Sequence, residues 1–221
     1  GGSRWLGSAG VNLESPGFEL NDLGQLSSAD DIDSYVTLRY RETEPGAVFR
    51  DYDLRLTYED DFNFGGVRRY QGSWVETDWT WANFQHTYAN VGVDIGGFND
   101  DQTRGGPLFR SALGWGGAVS HRNNFASTTQ WTATAEYWHN ELGSFSSELE
   151  ASIAARLGNR LELSAAPGYE RLSTARQYVT TRPNGPEATF GTRYIFARID
   201  RSELRLQVRA NYSFTPDLVL E

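Results

Sequence analysis

The sequence predicts an all-β fold: an antiparallel, up-and-down transmembrane β-barrel with about 12 strands visible. Three observations predict it. From Glu203 to Phe214 the chain keeps a strict period of two, with Leu204, Leu206, Val208, Ala210, Tyr212 and Phe214 on one face and Arg205, Gln207, Arg209, Asn211 and Ser213 on the other. Aromatic content is high at 14% (7 Trp, 11 Tyr, 12 Phe), while hydrophobic content is only 38% and no apolar run approaches a membrane helix. Short and long turn segments mostly alternate along the chain, the pattern of a barrel with short turns on one side of a membrane and long loops on the other.

The elements follow in order. Arg4 to Glu14 reads as the first strand, and Ser15 to Asp31 as a long connection rich in Pro, Gly and acid. In Asp33 to Arg41 the outward residues are Val36, Leu38 and Tyr40; Tyr35, Thr37, Arg39 and Arg41 face inward. Pro45-Gly46 makes a tight turn. In Asp51 to Glu59, Tyr52, Leu54, Leu56 and Tyr58 face outward and Asp51, Asp53, Arg55 and Thr57 inward. Charges on a barrel interior are expected to pair across neighbouring strands. A polar loop spans Glu59 to Gly66. Strands are then predicted over Val67 to Trp81 and Phe84 to Ile95, a long loop over Gly96 to Pro107, and strands over Leu108 to Arg122 and Phe125 to Asn140. Ser144 to Leu157 alternates cleanly, with Glu148, Glu150, Ser152 and Arg156 inward. Gly158-Asn159 reads as a two-residue hairpin turn. Arg160 to Val179 is a strand interrupted by Pro167. A Pro/Gly loop covers Arg182 to Gly191, and Thr192 to Asp200 precedes the final long strand. The parity of this count puts Thr215-Pro216-Asp217 on the long-loop side although it has the look of a short turn. A hairpin near Leu172 to Ala175 would restore the alternation.

Net charge is −9, with no basic stripe, which argues against nucleic acid as a partner. Cysteine is absent, which excludes thiol, disulfide, zinc-finger and iron–sulfur chemistry. No signal peptide is visible at Gly1, and Leu218-Val219-Leu220-Glu221 starts a new strand. The expectation is a single barrel domain or segment over 1–221, a piece of a longer chain, either closed by pairing Arg4–Glu14 with the final strands or completed by additional sequence or a partner chain.

Several blocks carry a family resemblance: Ser15-Pro16-Gly17-Phe18-Glu19-Leu20-Asn21-Asp22-Leu23-Gly24, Thr103-Arg104-Gly105-Gly106-Pro107, Tyr194-Ile195-Phe196-Ala197-Arg198-Ile199-Asp200, and Asn211 to Leu218. In that order they resemble the C-terminal region of large Gram-negative outer-membrane proteins of unknown function whose N-terminal part is a carbohydrate-binding-family-9-like domain. That domain is missing from this chain. The resemblance implies a piece of a larger barrel and brings no activity with it.

Candidate site residues fall into two groups. Arg104, Gly105 and Gly106 suit a loop folded toward a lumen, with Arg104 reaching inward carboxylates, and Arg39, Asp53, Arg55, Arg205 and Arg209 are expected to line that lumen. Trp74, Trp79, Trp81, Trp131, Tyr137, Tyr212 and Phe214 are expected at the membrane interfaces. Trp74, Trp79, Trp81, Trp115, Trp131 and Trp138 also suit stacking on sugars. Asn99-Asp100-Asp101 and Asp30-Asp31 offer oxygen ligands but lack calcium-loop spacing, so no metal is assigned. The three histidines, His86, His121 and His139, have no nucleophile-elbow motif to serve. Ser120 and His121 are strand neighbours that point to opposite faces, so no catalytic residue and no cofactor is assigned.

The expected role is a bacterial outer-membrane β-barrel with a polar, charged lumen, structural, transport-type or surface-anchoring, without catalysis. Expected partners are outer-membrane lipid and lipopolysaccharide, other outer-membrane or periplasmic chains, and glycan. The alternative is a soluble all-β carbohydrate-binding module; an outer-membrane hydrolase is a third reading.

Overall fold

A computed structural model of the 221-residue chain describes residues 4–17, 30–215 and 218–220. Eleven of the thirteen described strands form one antiparallel sheet, each paired with the next of the eleven in chain order: β1 (Trp5–Glu14), β2 (Asp31–Glu42), β3 (Phe49–Phe62), β4 (Arg68–Trp81), β5 (His86–Asp94), β8 (Gly114–Arg122), β9 (Thr129–Asn140), β10 (Phe145–Leu157), β11 (Leu161–Pro183), β12 (Thr192–Thr215) and β13 (Leu218–Leu220). The other two, β6 (Phe98–Asn99) and β7 (Phe109–Arg110), form a separate small ribbon inside the connection between β5 and β8. Helix among the described residues is limited to single 3₁₀ turns at Asp101–Thr103 and Glu187–Thr189. The sheet is not closed: its order runs from β1 at one edge to β13 at the other.

The predicted period of two sets the faces. Cross-strand pairing aligns Val36 with Tyr58, Leu38 with Leu56, Leu56 with Val75, Leu149 with Ala135, and Tyr169 with Leu204 on one face. It aligns Thr37 with Thr57, Arg39 with Arg55, Glu148 with Glu136, and Gly168 with Arg205 on the other. The first face is apolar and the second polar. Among the described residues no hydrophobic side chain is buried; the buried side chains are Asp, Thr, Asn and Ser. The apolar face is therefore open, with Leu204 81% exposed and Leu206 and Val208 each 69% exposed.

The connections sort by end. Among the described residues the longest connections, 95–113 and 184–191, lie at one end with 63–67 and 141–144. The other end carries 43–48, 82–85, 123–128 and 158–160. Three expectations change here. Pro167 does not end its strand. β11 runs through it and pairs Pro167 with Leu206, while pairing with β10 lapses between Glu150↔Gly168 and Ile153↔Ala165, where proline has no N–H to give. No hairpin forms at Leu172 to Ala175; β11 instead carries register shifts between Thr174 and Gln177 and between Tyr178 and Thr180. Nor is there a break after Asp200, because β12 runs unbroken for 24 residues. Removing that break, rather than adding a strand, puts the end of β12 and the start of β13 at the short-turn end. Pro216 and Asp217 themselves lie outside the described residues, as do Phe18 to Gly24 of the Ser15–Gly24 block and Glu221. The turn at Gly158-Asn159 spans three residues, with Gly158 at φ 68°.

Candidate functional site

The polar face is laced with cross-strand ion pairs, as charges standing close together on one side of a sheet require. Arg39 pairs with Asp53, and the Arg55 Nη1 lies 3.5 Å from Glu76 Oε2. Arg201 Nη2 donates to both oxygens of Glu170 at 2.7 Å, and Arg205 Nη2 donates to Glu148 and, at 2.6 Å, to Glu150. Tyr88 donates its hydroxyl to Glu76 (3.1 Å) and accepts from Asn90 Nδ2 (2.9 Å). Arg209 lines a cleft of about 290 Å³ with Thr132, Ser152 and Gln207 nearer the short-turn end. The structure thus places Arg39, Asp53, Arg55, Arg205 and Arg209 together on one face.

The apolar face has an aromatic row at its short-turn end. Ring centroids step from Trp5 to Tyr40 (4.9 Å), Tyr40 to Tyr52 (6.0 Å), Tyr52 to Phe49 (6.0 Å), and Phe49 to Trp79 (6.5 Å) and Trp81 (4.9 Å). Trp81 Nε1 donates to Thr87 Oγ1 at 2.8 Å. The Thr87 hydroxyl is also bonded to His121 Nδ1 (2.7 Å), and the His121 ring lies 5.5 Å from Trp131. Tyr212 and Phe214 meet at 4.8 Å at the same end of β12. Nearer the long-loop end a second group joins Trp115 to Tyr137 (5.6 Å) and His139 (6.2 Å). Trp79, Trp81, Trp131, Tyr137, Tyr212 and Phe214 therefore all stand on the apolar face. Trp74 does not: it sits on the polar face with Tyr70 and Trp138, its ring 6.1 Å from that of Tyr70 and nearly parallel to it.

The 95–113 connection crosses the long-loop end. Gly97 is pressed on β4: a Cβ there would lie 2.3 Å from the backbone carbon and oxygen of Arg69, so only glycine fits. At the far side the Thr103–Pro107 block docks on the part of the β11–β12 hairpin that extends past β10. The buried Thr103 hydroxyl donates to Asp100 O (3.0 Å) and Pro107 O (2.9 Å). Arg104, at φ 55°, lies over the Tyr178 ring at 4.3 Å, an aromatic contact where inward carboxylates were expected. A Cβ on Gly106 would sit 2.1 Å from Tyr194 Oη. Phe109 meets Phe196 at 6.0 Å and carries Arg176 at 5.0 Å. Sequence reasoning misses Tyr178, Tyr194 and Phe196 as docking residues, since their role depends on register shifts that leave no local sequence signal.

The histidines are dispersed. His86 Nε2 is 3.3 Å from Asp78 Oδ1, His121 is held by Thr87 on the apolar face, and Ser120 bonds Thr134 (3.0 Å) on the polar one. Among the described residues no group of three or more His, Asp or Glu is placed to hold a metal ion.

Fold and faces define the class: a long antiparallel meander with one apolar and one charged face, and a loop strapped across one end. The chain belongs to the family described as a domain of unknown function (DUF5916), whose model matches residues 2–221. No curated protein and no solved structure matches it.

Proposed function

We propose that this chain forms the wall of a bacterial outer-membrane β-barrel, its apolar face toward lipid and its charged face toward an aqueous interior. The role is structural, transport-type or surface-anchoring, and no catalytic chemistry is assigned. One observation carries the reading: no hydrophobic side chain among the described residues is buried, while apolar-face residues across the sheet, such as Val36, Leu56, Leu149, Leu204 and Val208, stand exposed. In water such a sheet would lack the burial that drives folding. In lipid the exposed face is the solvated one.

The aromatic row at the short-turn end and the second group toward the long-loop end support the same reading, since Trp and Tyr rings collect at the two membrane interfaces. The ion pairs of the polar face suit a wet, charge-balanced interior. Lipid and lipopolysaccharide are the partners this surface fits. The soluble carbohydrate-binding module would need a second layer over the apolar face, and the described residues supply none.

The test is folding with and without detergent micelles, followed by circular dichroism and by gel mobility of unboiled against boiled samples. Detergent-dependent β-structure with a heat-sensitive compact band is expected. A monodisperse folded protein in plain buffer overturns the membrane assignment.

A further inference from the structure

The polar face repeats one local device. Tyr35 and Gly10 are cross-strand partners, as are Trp74 and Gly92, and Trp138 and Gly116. In the first two pairs the aromatic side chain occupies the space that a Cβ on the glycine would fill: a Cβ at Gly10 would lie 2.6 Å from Tyr35 Cε1 and one at Gly92 2.4 Å from Trp74 Cδ1. At Gly116 a Cβ would first meet the backbone oxygen of Tyr137 at 2.5 Å, with Trp138 Cδ1 at 2.9 Å. Trp74 also covers Gly72 on its own strand, and Trp138 covers Gly114. A glycine opposite the ring leaves it room to lean on the wall, where a larger residue would hold it off.

Two clefts run along these rings. One, of about 730 Å³, is lined by Tyr35, Arg55, Trp74, Glu76, Tyr88 and Asn90. The next, of about 310 Å³, is lined by Tyr70, Trp74, Asn90, Asp94, Glu136 and Trp138. They share Trp74 and Asn90, so the aromatic surface is continuous between them. Both volumes suit a small ligand, for which roughly 300–1,000 Å³ is usual. Polar groups stand beside the rings in fixed positions, since Asn90, Tyr88 and Glu76 form one hydrogen-bonded chain.

We propose that this face carries an extended site for uncharged oligosaccharide, with pyranose rings two to three units apart in one chain over Tyr35, Trp74 and Trp138, which stand two and three strands from one another at ~4.8 Å per strand. A pyranose presents axial C–H bonds to the negative face of an aromatic ring and hydroxyls at its edge. Asn90, Glu76, Asp94 and Glu136 stand where those hydroxyls would fall. The carboxylates and the net charge of −9 disfavour nucleotides and other anions, which would otherwise suit flat rings. The proposal takes the polar face to be a wet interior and so rests on the barrel reading.

The test uses the whole chain folded in detergent, its heat-sensitive band checked first, titrated with maltohexaose, cellohexaose and xylohexaose by tryptophan fluorescence and calorimetry. Polyethylene glycol of matched size is the control. Saturable binding of at least one sugar and none of the control is expected. Trp74→Ala should weaken it about tenfold, equivalent to ~1.4 kcal/mol, and Trp74→Phe only a few-fold. Gly92→Ala keeps the indole but tips it off the wall, and should weaken binding as Trp74→Ala does. A ring that only fills the glycine gap would change heat stability and leave affinity alone. No saturable binding by the folded protein, or affinity unmoved in both Trp74→Ala and Gly92→Ala, overturns the proposal. If the chain folds in buffer and not in detergent, the barrel reading fails, and the same titrations on the soluble protein decide the sugar site separately.

Discussion

Replacing Val208 by arginine separates lipid from water as the solvent of the apolar face. Ten residue steps divide Leu204 from Phe214 on β12, roughly 33 Å of strand at ~3.3 Å per step. Tilted by about 40°, that stretch stands roughly 25 Å tall, the height of a barrel's apolar band. Val208 lies near its middle, on the apolar face and 69% exposed. At the midplane of a bilayer an arginine costs about 2–4 kcal/mol. On a water-exposed surface the same change stays within about 0.5 kcal/mol. Gln207→Arg, one residue away on the polar face, is the control and should be close to neutral. The assay is equilibrium urea unfolding from phospholipid vesicles, followed by tryptophan emission and protease protection. Val208→Arg should lose at least ~2 kcal/mol relative to Gln207→Arg. Equal stability of the two variants would refute the assignment of this face to lipid.

Three further outcomes follow from the loop strap and the ion pairs. Gly97→Ala drives a Cβ into the Arg69 backbone, which cannot yield as a flexible side chain would, so the 95–113 connection should lift and trypsin should cut after Arg104 faster than in the parent. Arg104→Ala removes the contact with Tyr178, worth about 0.5–2 kcal/mol; differential hydrogen exchange should show faster exchange at 101–107 and at the β11–β12 tip, with the main sheet unchanged. Arg205→Ala leaves Glu148 and Glu150, side by side on one face of β10, without their shared cation. These groups are substantially exposed, so stability should fall by less than about 1 kcal/mol. Any current measured in planar bilayers should shift toward cations.

Much of the sheet was legible because a period of two is a local signal. The alternation in Val36–Leu38–Tyr40, Tyr52 to Tyr58, and Leu204 to Phe214 fixes which side chains share a face before any pairing is known. The inward grouping of Arg39, Asp53 and Arg55 follows from it directly. Register and strand continuity were less legible. Asp200-Arg201-Ser202 has the polarity of a turn yet runs straight through β12, because Glu170 and the β11 ladder hold it extended. Pro167 reads as an interruption but costs only its bonds to one neighbour. The face of Trp74 was legible too: it stands an odd number of residues from Trp79 and Trp81 on one strand, so alternation opposes them, and grouping all three at the membrane interfaces overrode that signal. Its glycine partner, Gly92, lies on another strand and is found only once the register is known.

The direction of the strands constrains how the two edges are satisfied. In hydrocarbon an unpaired strand edge exposes N–H and C=O groups at several kcal/mol each, so a lipid-facing sheet needs both edges covered. Successive neighbours in the eleven-stranded sheet are antiparallel, so β1 and β13 run the same way. Joining them directly would make one parallel seam. Joining β1 to β12 would be antiparallel and close ten strands, but β13 already pairs with β12 at Tyr212 and Ser213. We therefore expect closure through a further antiparallel strand lying between β13 and β1, supplied by other sequence or by a second chain. The doubly substituted Val11→Cys, Val208→Cys protein tests this, because the chain has no cysteine of its own and both positions lie on the apolar face. A disulfide requires Cα atoms within about 7 Å, which only a β1–β12 seam would provide. No intramolecular bridge should form under oxidation in detergent, even when Val11 is scanned against Leu206 and Ala210 to allow for register. A bridge in any of those registers would refute the added strand and establish a ten-stranded closure with β13 outside the seam.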